Sequence, residues 1–473
     1  MKNKFYITTP IYYVNGQPHI GHTYTTVAAD VLARYHRLQG DQVFFLTGTD
    51  EHGAKIAEKA KEADQEPQEF VDDIAGQFKA AWAALNISND RFIRTTESEH
   101  KQAIQKAVEY MVAKGDIYKD KYEGLYCQGC EQFKNEKDLV NGLCPDHKTK
   151  PQLMSEEAYM FKQSKYQKAL LEKIESDEFK IRPLERKNEM VSFYKNEGLR
   201  DVAFSRAKVR WGIPFPGDDS HTIYVWADAL LNYLTGLGWS GGSGSWPELW
   251  PADVQLMSKD ILRVHSSIWP AMLMSLGIPL PKQLFIHGYF LIDGQKMSKS
   301  LGNVILPGQL IGRYGVDGTR YLLMSATSFG SDGDVGLKFF DEKYNADLAN
   351  GLGNLVARVS TLLEKNNIEL TLTPANEKLG SEVTALMGDF RFDEALKAIW
   401  RKLAESDEWL TEKKPWKSTN PTEIKEALLP VAQNLFDIGR LLQPFMPETG
   451  EKIVSKFSAG QVQKGESLFP RIA

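Results

Sequence analysis

Thr8-Thr9-Pro10-Ile11-Tyr12-Tyr13-Val14-Asn15-Gly16-Gln17-Pro18-His19-Ile20-Gly21-His22 lies near the start of a chain of 473 residues. The residues leading into it, Lys4-Phe5-Tyr6-Ile7-Thr8, are β-branched and aromatic and predict a short strand. The residues after it predict a helix over 23–39. Ala28, Val31, Leu32, Tyr35 and Leu38 recur at helical spacing, and Gly40 stands where a helix stops. His19-Ile20-Gly21-His22 therefore falls where a strand has ended and a helix begins. In an open α/β sheet that junction binds ligands, and helix N-terminal amides attract phosphate. Gly21 leaves room against the backbone, and the two imidazoles offer N–H donors to phosphate oxygens. The same four residues also fit a capped, partly buried turn.

A second stretch bears on that choice: Asp293-Gly294-Gln295-Lys296-Met297-Ser298-Lys299-Ser300-Leu301-Gly302-Asn303. Glycines on both sides predict a loop. Lys296 and Lys299, three apart with hydroxyls between and beside them, suit a polyphosphate. Fixed cations there would offset the charge that builds on a departing pyrophosphate. Alone, the stretch also fits a solvated basic loop.

Around these two stretches the first part of the chain alternates strand and helix. Gln42 to Thr47 predicts a continuous apolar strand of the parallel-sheet kind. It runs into Gly48-Thr49-Asp50-Glu51-His52-Gly53, a polar loop that would place Asp50 in the same crevice as His19 and His22. A carboxylate there suits an ammonium group, or it caps the helix that starts at Ala54. Helices follow over 70–85 and 100–114, and residues 150–200 are charged and predict helices. Ile223 to Trp226 predicts a strand, and Ala227 to Leu234 the start of a helix. Trp226, Ala229 and Tyr233 then share a wall or simply fill the core. Strands are predicted at 254–257 and 283–286, with a helix carrying Ile261 and His265 over 261–275. A lone histidine on an apolar helix is ordinarily a satisfied core residue.

From about Phe339 the pattern is all helical, with long amphipathic runs at 344–365, 392–411 and 423–442. Asn354 and Arg358 lie one turn apart on one helix face. Lys414-Pro415-Trp416-Lys417 predicts a loop with one aromatic and two cations. Aromatic stacking with bidentate Arg or Asn groups is how single-stranded RNA bases are read, although a tryptophan packed on a helix end fits equally.

The chain carries only three cysteines, all between residues 127 and 144. Cys127-Gln128-Gly129-Cys130 and Cys144-Pro145-Asp146-His147 form two knuckles with ligands three apart, a spacing that closes a tetrahedron around one Zn²⁺. With all four positions filled by protein, such a site is structural. Three cysteines in one short segment exclude a disulfide scaffold. Hydrophobic residues make up 42% and charged residues 25% of the chain, as in soluble globular proteins. No apolar run is long enough to span a bilayer, and Met1-Lys2-Asn3-Lys4 opens no signal peptide, so a cytoplasmic protein with no membrane partner is expected. A net charge of −5 says nothing for nucleic acid, but a local basic face suffices to contact phosphates.

The two stretches together, in this order, resemble the paired signatures of class I aminoacyl-tRNA synthetases. The whole chain, from Phe5 to roughly residue 458, resembles the methionyl-tRNA synthetases of bacterial type. The likeness includes Leu46 to Gly53, the cysteine cluster, Trp211-Gly212-Ile213-Pro214, Tyr224 to Ala229, Lys259-Asp260-Ile261-Leu262, His265, Lys296 to Ser300 and Lys414-Pro415-Trp416. The resemblance implies a Rossmann-like α/β fold with a parallel sheet and a small zinc-binding insertion, followed by an all-α helix bundle. Residues 1–115 and 201–295 are expected as two halves of the catalytic domain. The insertion is expected over 116–200, the lysine loop and stem-contact region over 296–340, and a helical anticodon-binding domain over 341–473.

It further implies attachment of L-methionine to tRNA(Met), initiator tRNA included, through a methionyl-adenylate made from ATP with Mg²⁺. The 2′-hydroxyl of the tRNA's terminal adenosine then takes the methionyl group. Ile11, Tyr13, Asp50, Trp226, Ala229, Tyr233, Ile261 and His265 would form the methionine pocket, with Tyr13 and His265 as candidates for a hydrogen bond near the sulfur. His19, Gly21, His22, Lys296, Ser298 and Lys299 would hold ATP, with the histidines and lysines as the catalytic groups. Asn354, Arg358 and Trp416 would read the CAU anticodon. Leu230 stands where some relatives have proline, Ser258 where glycine is usual, and Ile305-Leu306-Pro307-Gly308 is unusual after the lysine loop. The resemblance does not reach a C-terminal extension that dimerises many bacterial relatives, so a monomer is expected. A ligase for isoleucine, valine or leucine would need a far larger insertion for editing than 116–200 provides. A non-catalytic RNA-binding relative has no need of both histidines and both lysines.

Overall fold

Pro10 sits inside the first strand, β1 (Lys4–Tyr13), and has no N–H to give the ladder. The pairing with β2 (Gln42–Asp50) slips there. Thr8 faces Leu46, but Ile11 faces Gly48, so Thr9 and Pro10 together oppose Thr47 in a bulge. The Thr9 hydroxyl closes it with a 2.7 Å hydrogen bond to Thr47 Oγ1. Pairing resumes to Tyr13 opposite Asp50, so both strands run further than the sequence predicts, and Asp50 ends a strand rather than lying in a loop. Gly53, not Asp50, caps the helix Ala54–Glu62.

The computed structural model describes residues 3–472 except 129–131, 135, 137–138, 146–147, 208, 293, 298–302, 372–376 and 459. Cys130, His147, Ser298 and Lys299 lie outside the described residues. The chain divides into two units, one of residues 1–17, 41–80 and 89–286 and one of residues 18–40, 81–88 and 287–473.

The first unit is built on a six-stranded sheet. Its strands are β1, β2, β3 (Arg91–Arg94), β4 (Lys180–Arg182), β5 (Val254–Ser258) and β6 (Gln283–His287), in the order β3-β2-β1-β5-β6-β4. The β1–β2, β2–β3, β1–β5 and β4–β6 pairs run parallel. Gly48 is required where β2 meets β3, because a Cβ there would stand 2.0 Å from the Ile93 carbonyl oxygen. The apolar core includes Tyr6, Leu46, Ile93, Tyr233 and Trp269, all with 2% exposure or less.

Residues 150–200 depart from the predicted helices. Gln152–Phe161 is a strand, antiparallel to Ile117–Cys127, in a four-stranded sheet with Gln132–Lys134 and Val202–Ala203. Its buried alternation, Ala158 and Met160, is confined to one end, and the adjacent acids Glu156-Glu157 make the segment charged, so composition points to a helix. Helices Gln167–Glu175 and Leu184–Asn196 follow, and β4 between them joins the main sheet.

After β1 the chain enters α1 (Ile20–Leu38), which belongs to the second unit. In the first unit, α2 (Ser98–Ala113) is followed later by α3 (Val225–Ala229) and α4 (Asn232–Thr235). Trp226 is therefore helical, where a strand is predicted. The strand ends at Ile223, and extended Tyr224 caps α3. Residues 261–275 are not one helix either. They form α5 (Leu262–Ser266) and α6 (Ile268–Leu276), broken at Ser267. Pro270 cannot donate to Ser266, and its ring excludes that carbonyl from a helical position. The Ser266 carbonyl instead accepts a 2.6 Å bond from the Tyr194 hydroxyl.

The second unit contains α1, α7 (Pro307–Ser325), a π-helical stretch Tyr344–Gly353 running into α8 (Asn354–Lys365), and the long helices α9 (Phe392–Lys413) and α10 (Pro421–Leu442). Its centre is a buried ion pair, Asp30 with Arg320, 2.7 Å apart and both fully buried. Arg320 also donates to the carbonyls of Leu85, Pro444 and Phe445. Burial alone would raise the Asp30 carboxyl, but Arg320, Arg34 and Ser88 outweigh it and hold the carboxyl below the usual range. Among the described residues, no helix is long and apolar enough to cross a membrane.

Candidate active site

In the second unit His19 is the N-cap of α1, and His22 completes a capping box normally made by Ser and Glu. The Gly21 amide donates to His19 Nδ1 at 3.1 Å, and the His19 amide to His22 Nδ1 at 3.3 Å. Since each Nδ1 accepts, each ring proton sits on Nε2, where it is a donor. The rings stack at 3.8 Å. A Cβ on Gly21 would lie 2.9 Å from His19 Cε1 and 3.9 Å from the Met297 methyl, so glycine is needed for the stack to form. The structure thus brings His19, Gly21 and His22 together with Met297. Lys296 ends the short strand Gln295–Lys296, paired with Phe290–Ile292. The Ile20 amide donates to the Ile305 carbonyl at 2.9 Å, which gives the unusual Ile305-Leu306 segment a local role.

In the first unit the β1–β2 register sets Tyr13 directly opposite Asp50, and Ile11 shares the Tyr13 face. Asp50 is 7% exposed and Ala229 3%, while Ile11, Tyr13, Trp226 and Ile261 are partly open. Tyr233 Oη lies 2.7 Å from His265 Nε2, and His265 Nδ1 lies 3.0 Å from the Ile261 carbonyl. A carbonyl only accepts, so the His265 proton is on Nδ1, and Nε2 accepts from the Tyr233 hydroxyl. Burial lowers His265 to about pKa 4, leaving it neutral at pH 7. Both its ring nitrogens are engaged within the protein, which differs from the expected hydrogen bond to a ligand. Leu230 donates a helical bond to Trp226 O at 3.1 Å that a proline in its place lacks.

Sequence reasoning missed the polar groups behind these residues. Glu51 accepts both arms of Arg94, at 2.7 and 2.9 Å, with the hydroxyls of Thr49 at 2.6 Å and Thr96 at 2.5 Å. Trp211 Nε1 donates to the Glu51 carbonyl at 2.6 Å. Asp228, on α3, accepts from His52 Nδ1 at 2.6 Å and from His100 Nε2 at 2.7 Å. Burial would raise the Asp228 carboxyl, but the two histidines outweigh it and hold it below the usual range. The only signal in the sequence was an acidic residue beside Trp226 and Ala229. A shallow cleft opens beside this group, lined among others by His52, Trp211, Tyr126, Arg206, Tyr224 and Val225.

Cys127 ends its strand and is buried, as is Cys144, whose carbonyl accepts from the Lys148 amide at 2.8 Å. Among the described residues no group of three metal-ligating side chains occurs, and Cys130 and His147 are not among them. In the second unit, the Arg358 guanidinium lies 5.5 Å over the Trp416 ring and pairs with Asp407. Lys414 is left-handed, so the chain turns sharply out of α9 and presents Trp416 at 44% exposure. Asn354 is exposed one turn before Arg358.

Residues 5–152 and 137–360 match the family described as tRNA synthetases class I (M). A methionine–tRNA ligase of Clostridium acetobutylicum is 44% identical over all of this chain and 78% of its own length. One of Bacillus subtilis is 41% identical over 99% of this chain and 78% of its own. Among solved structures, the Mycobacterium tuberculosis methionyl-tRNA synthetase in complex with methionyl-adenylate superposes with a TM-score of 0.92 at 36% identity, covering both chains fully. The apo form of that enzyme gives a TM-score of 0.84 at 33% identity.

Proposed function

The chain belongs to the class I tRNA synthetases, among the methionine–tRNA ligases, and from that premise we infer that it attaches L-methionine to tRNA in two steps. The observation that carries this reading is likeness along the full chain to enzymes of that name.

In the first step the methionine carboxylate attacks the α-phosphorus of ATP, which enters with Mg²⁺, and pyrophosphate leaves. Asp50 holds the ammonium group. Ile11, Tyr13, Trp226, Ala229, Tyr233 and Ile261 enclose the thioether, whose soft sulfur suits aromatic rings. The Tyr233–His265 hydrogen bond fixes the far wall. His19 and His22 donate Nε2–H bonds to the triphosphate, Gly21 lets it approach, and Lys296, Ser298 and Lys299 meet the charge gathering on pyrophosphate. In the second step the 2′-hydroxyl of the tRNA's terminal adenosine attacks the adenylate carbonyl, and AMP leaves. No side chain acts as a covalent nucleophile; positioning and charge suffice.

Residues 1–115 and 201–295 form the catalytic domain in this reading, 116–200 the insertion, 296–340 the stem-contact region and 341–473 the anticodon-binding domain. Cys127, Cys130, Cys144 and His147 are suited to one structural Zn²⁺, a fit supported by the burial of both described cysteines. Zn²⁺ there would cross-link the tip of the insertion and supplies no step of the reaction. Asn354, Arg358 and Trp416 read the CAU anticodon of tRNA(Met), initiator tRNA included, supported by the Arg358–Trp416 contact. The protein acts as a cytoplasmic monomer.

The test is charging of a tRNA(Met) transcript with labelled methionine. The reading predicts ATP-dependent charging that is lost when CAU is changed. Absence of charging by folded, zinc-loaded protein would overturn it.

A further inference from the structure

α3 is five residues long, too short to hold its own orientation, yet it carries Trp226 and Ala229. Its one buried acid, Asp228, supplies the missing restraint. One carboxylate oxygen accepts from His52, two residues beyond Asp50 in the chain. The other accepts from His100 on α2, whose Nδ1 lies 2.7 Å from Thr235 Oγ1 at the end of α4. His52, His100 and Asp228 are 4%, 1% and 1% exposed. Bonds to an ionised acceptor in such a site are short and strong, and losing the acceptor leaves two buried N–H donors unmatched. On its other side the Asp50–His52 segment is fixed by Glu51, held by Arg94, Thr49 and Thr96. The segment that follows β2 and the helix bearing Trp226 are thus joined through one carboxylate.

We propose that Asp228 is a positioning residue for methionine recognition. By bridging His52 and His100 it sets the spacing between Asp50, which holds the ammonium, and the wall of Trp226 and Ala229. The proposal rests on the reading of those three residues as the methionine pocket. Asp228 touches no substrate; it acts through α3. Its signature is accordingly a change in methionine binding with ATP binding spared.

The experiment is steady-state ATP–pyrophosphate exchange, with melting temperature measured in parallel. Asp228→Asn is expected to raise the methionine KM about tenfold and to leave the ATP KM within about twofold. His100→Leu is expected to act in the same direction, and His100→Gln, which keeps a donor at the Nε2 position, to restore most of the loss. If Asp228→Asn fails to fold, the His100 pair decides. Equal changes in both KM values, or none, in folded variants overturn the proposal. Ala229→Val separates it from the reading beneath. If Ala229→Val leaves the methionine KM unchanged, the pocket reading falls and the proposal with it. If Ala229→Val raises it while Asp228→Asn and His100→Leu do not, the proposal falls alone.

Discussion

The molecule holds two histidine pairs that share a residue type and little else. His19 and His22 lie within one turn of chain, bond backbone amides through Nδ1 and are partly open to solvent. His52 and His100 come from distant parts of the chain, are buried, and aim at one carboxylate. The first pair uses its Nδ1 acceptors on the local backbone turn at the start of a helix. The second spends its donors inside, on the frame. A histidine cluster is informative only once its partners are known, because the same ring serves as a ligand-facing donor or as an internal strut.

The sharpest way to break the comparison is at the open pair. In the proposed reading His22 donates to the triphosphate, so replacing it by Ala should slow methionine-dependent pyrophosphate exchange about 10²–10³-fold. The methionine KM should stay within about threefold. A methionine KM that rises as much as the rate falls would mean that this pair, too, is part of the frame.

A third histidine sharpens the buried side. His265 has a folded pKa of about 4 against about 6.5 when unfolded. The unfolded chain therefore binds the proton first as pH falls. The stability of the neutral buried ring is intact above pH 6.5 and is lost as pH drops toward 4, by at most about 3 kcal/mol. The stability gap between wild type and His265→Asn, from denaturant melts, should be constant from pH 7 to 9 and shrink below about pH 6. A constant gap down to pH 4.5 would contradict the assigned burial.

More open than either pair is the Arg358–Trp416 contact, with Trp416 exposed. Trp416→Ala should weaken tRNA binding by about 1–3 kcal/mol, seen as a raised tRNA KM in charging, and leave pyrophosphate exchange unchanged. Equal loss in both assays would remove the anticodon role. The smallest effect is expected for Tyr233→Phe, which deletes one buried hydrogen bond to His265. It should cost about 1 kcal/mol and raise the methionine KM about fivefold. No change would show that the His265 ring is oriented by the Ile261 carbonyl alone.

What could be read in the sequence was local. The strand into His19, the helix after it and the bundle helices announce themselves by spacing within one segment, and the structure has them. Asp50 was recognisable as a carboxylate near a strand end, but the bulge at Thr9-Pro10 that carries β1 and β2 on to set Tyr13 opposite it was not. Trp226 was read as strand because Ile223-Tyr224-Val225-Trp226 is β-branched and aromatic, and the cap at Tyr224 overrode that preference. The break before Ile268 was in principle visible in Pro270, whose effect falls on a carbonyl four residues earlier. The group around Asp228 carries no local signal, since residues 52, 100 and 228 meet only through the tertiary fold.

The central claim is that the first unit carries a pocket for methionine feeding adenylate formation. The most direct test is amino-acid-dependent exchange of pyrophosphate into ATP, run without tRNA against each of the twenty amino acids. Exchange with methionine alone is the predicted result. Exchange with a different amino acid, or with none from folded protein, would contradict it.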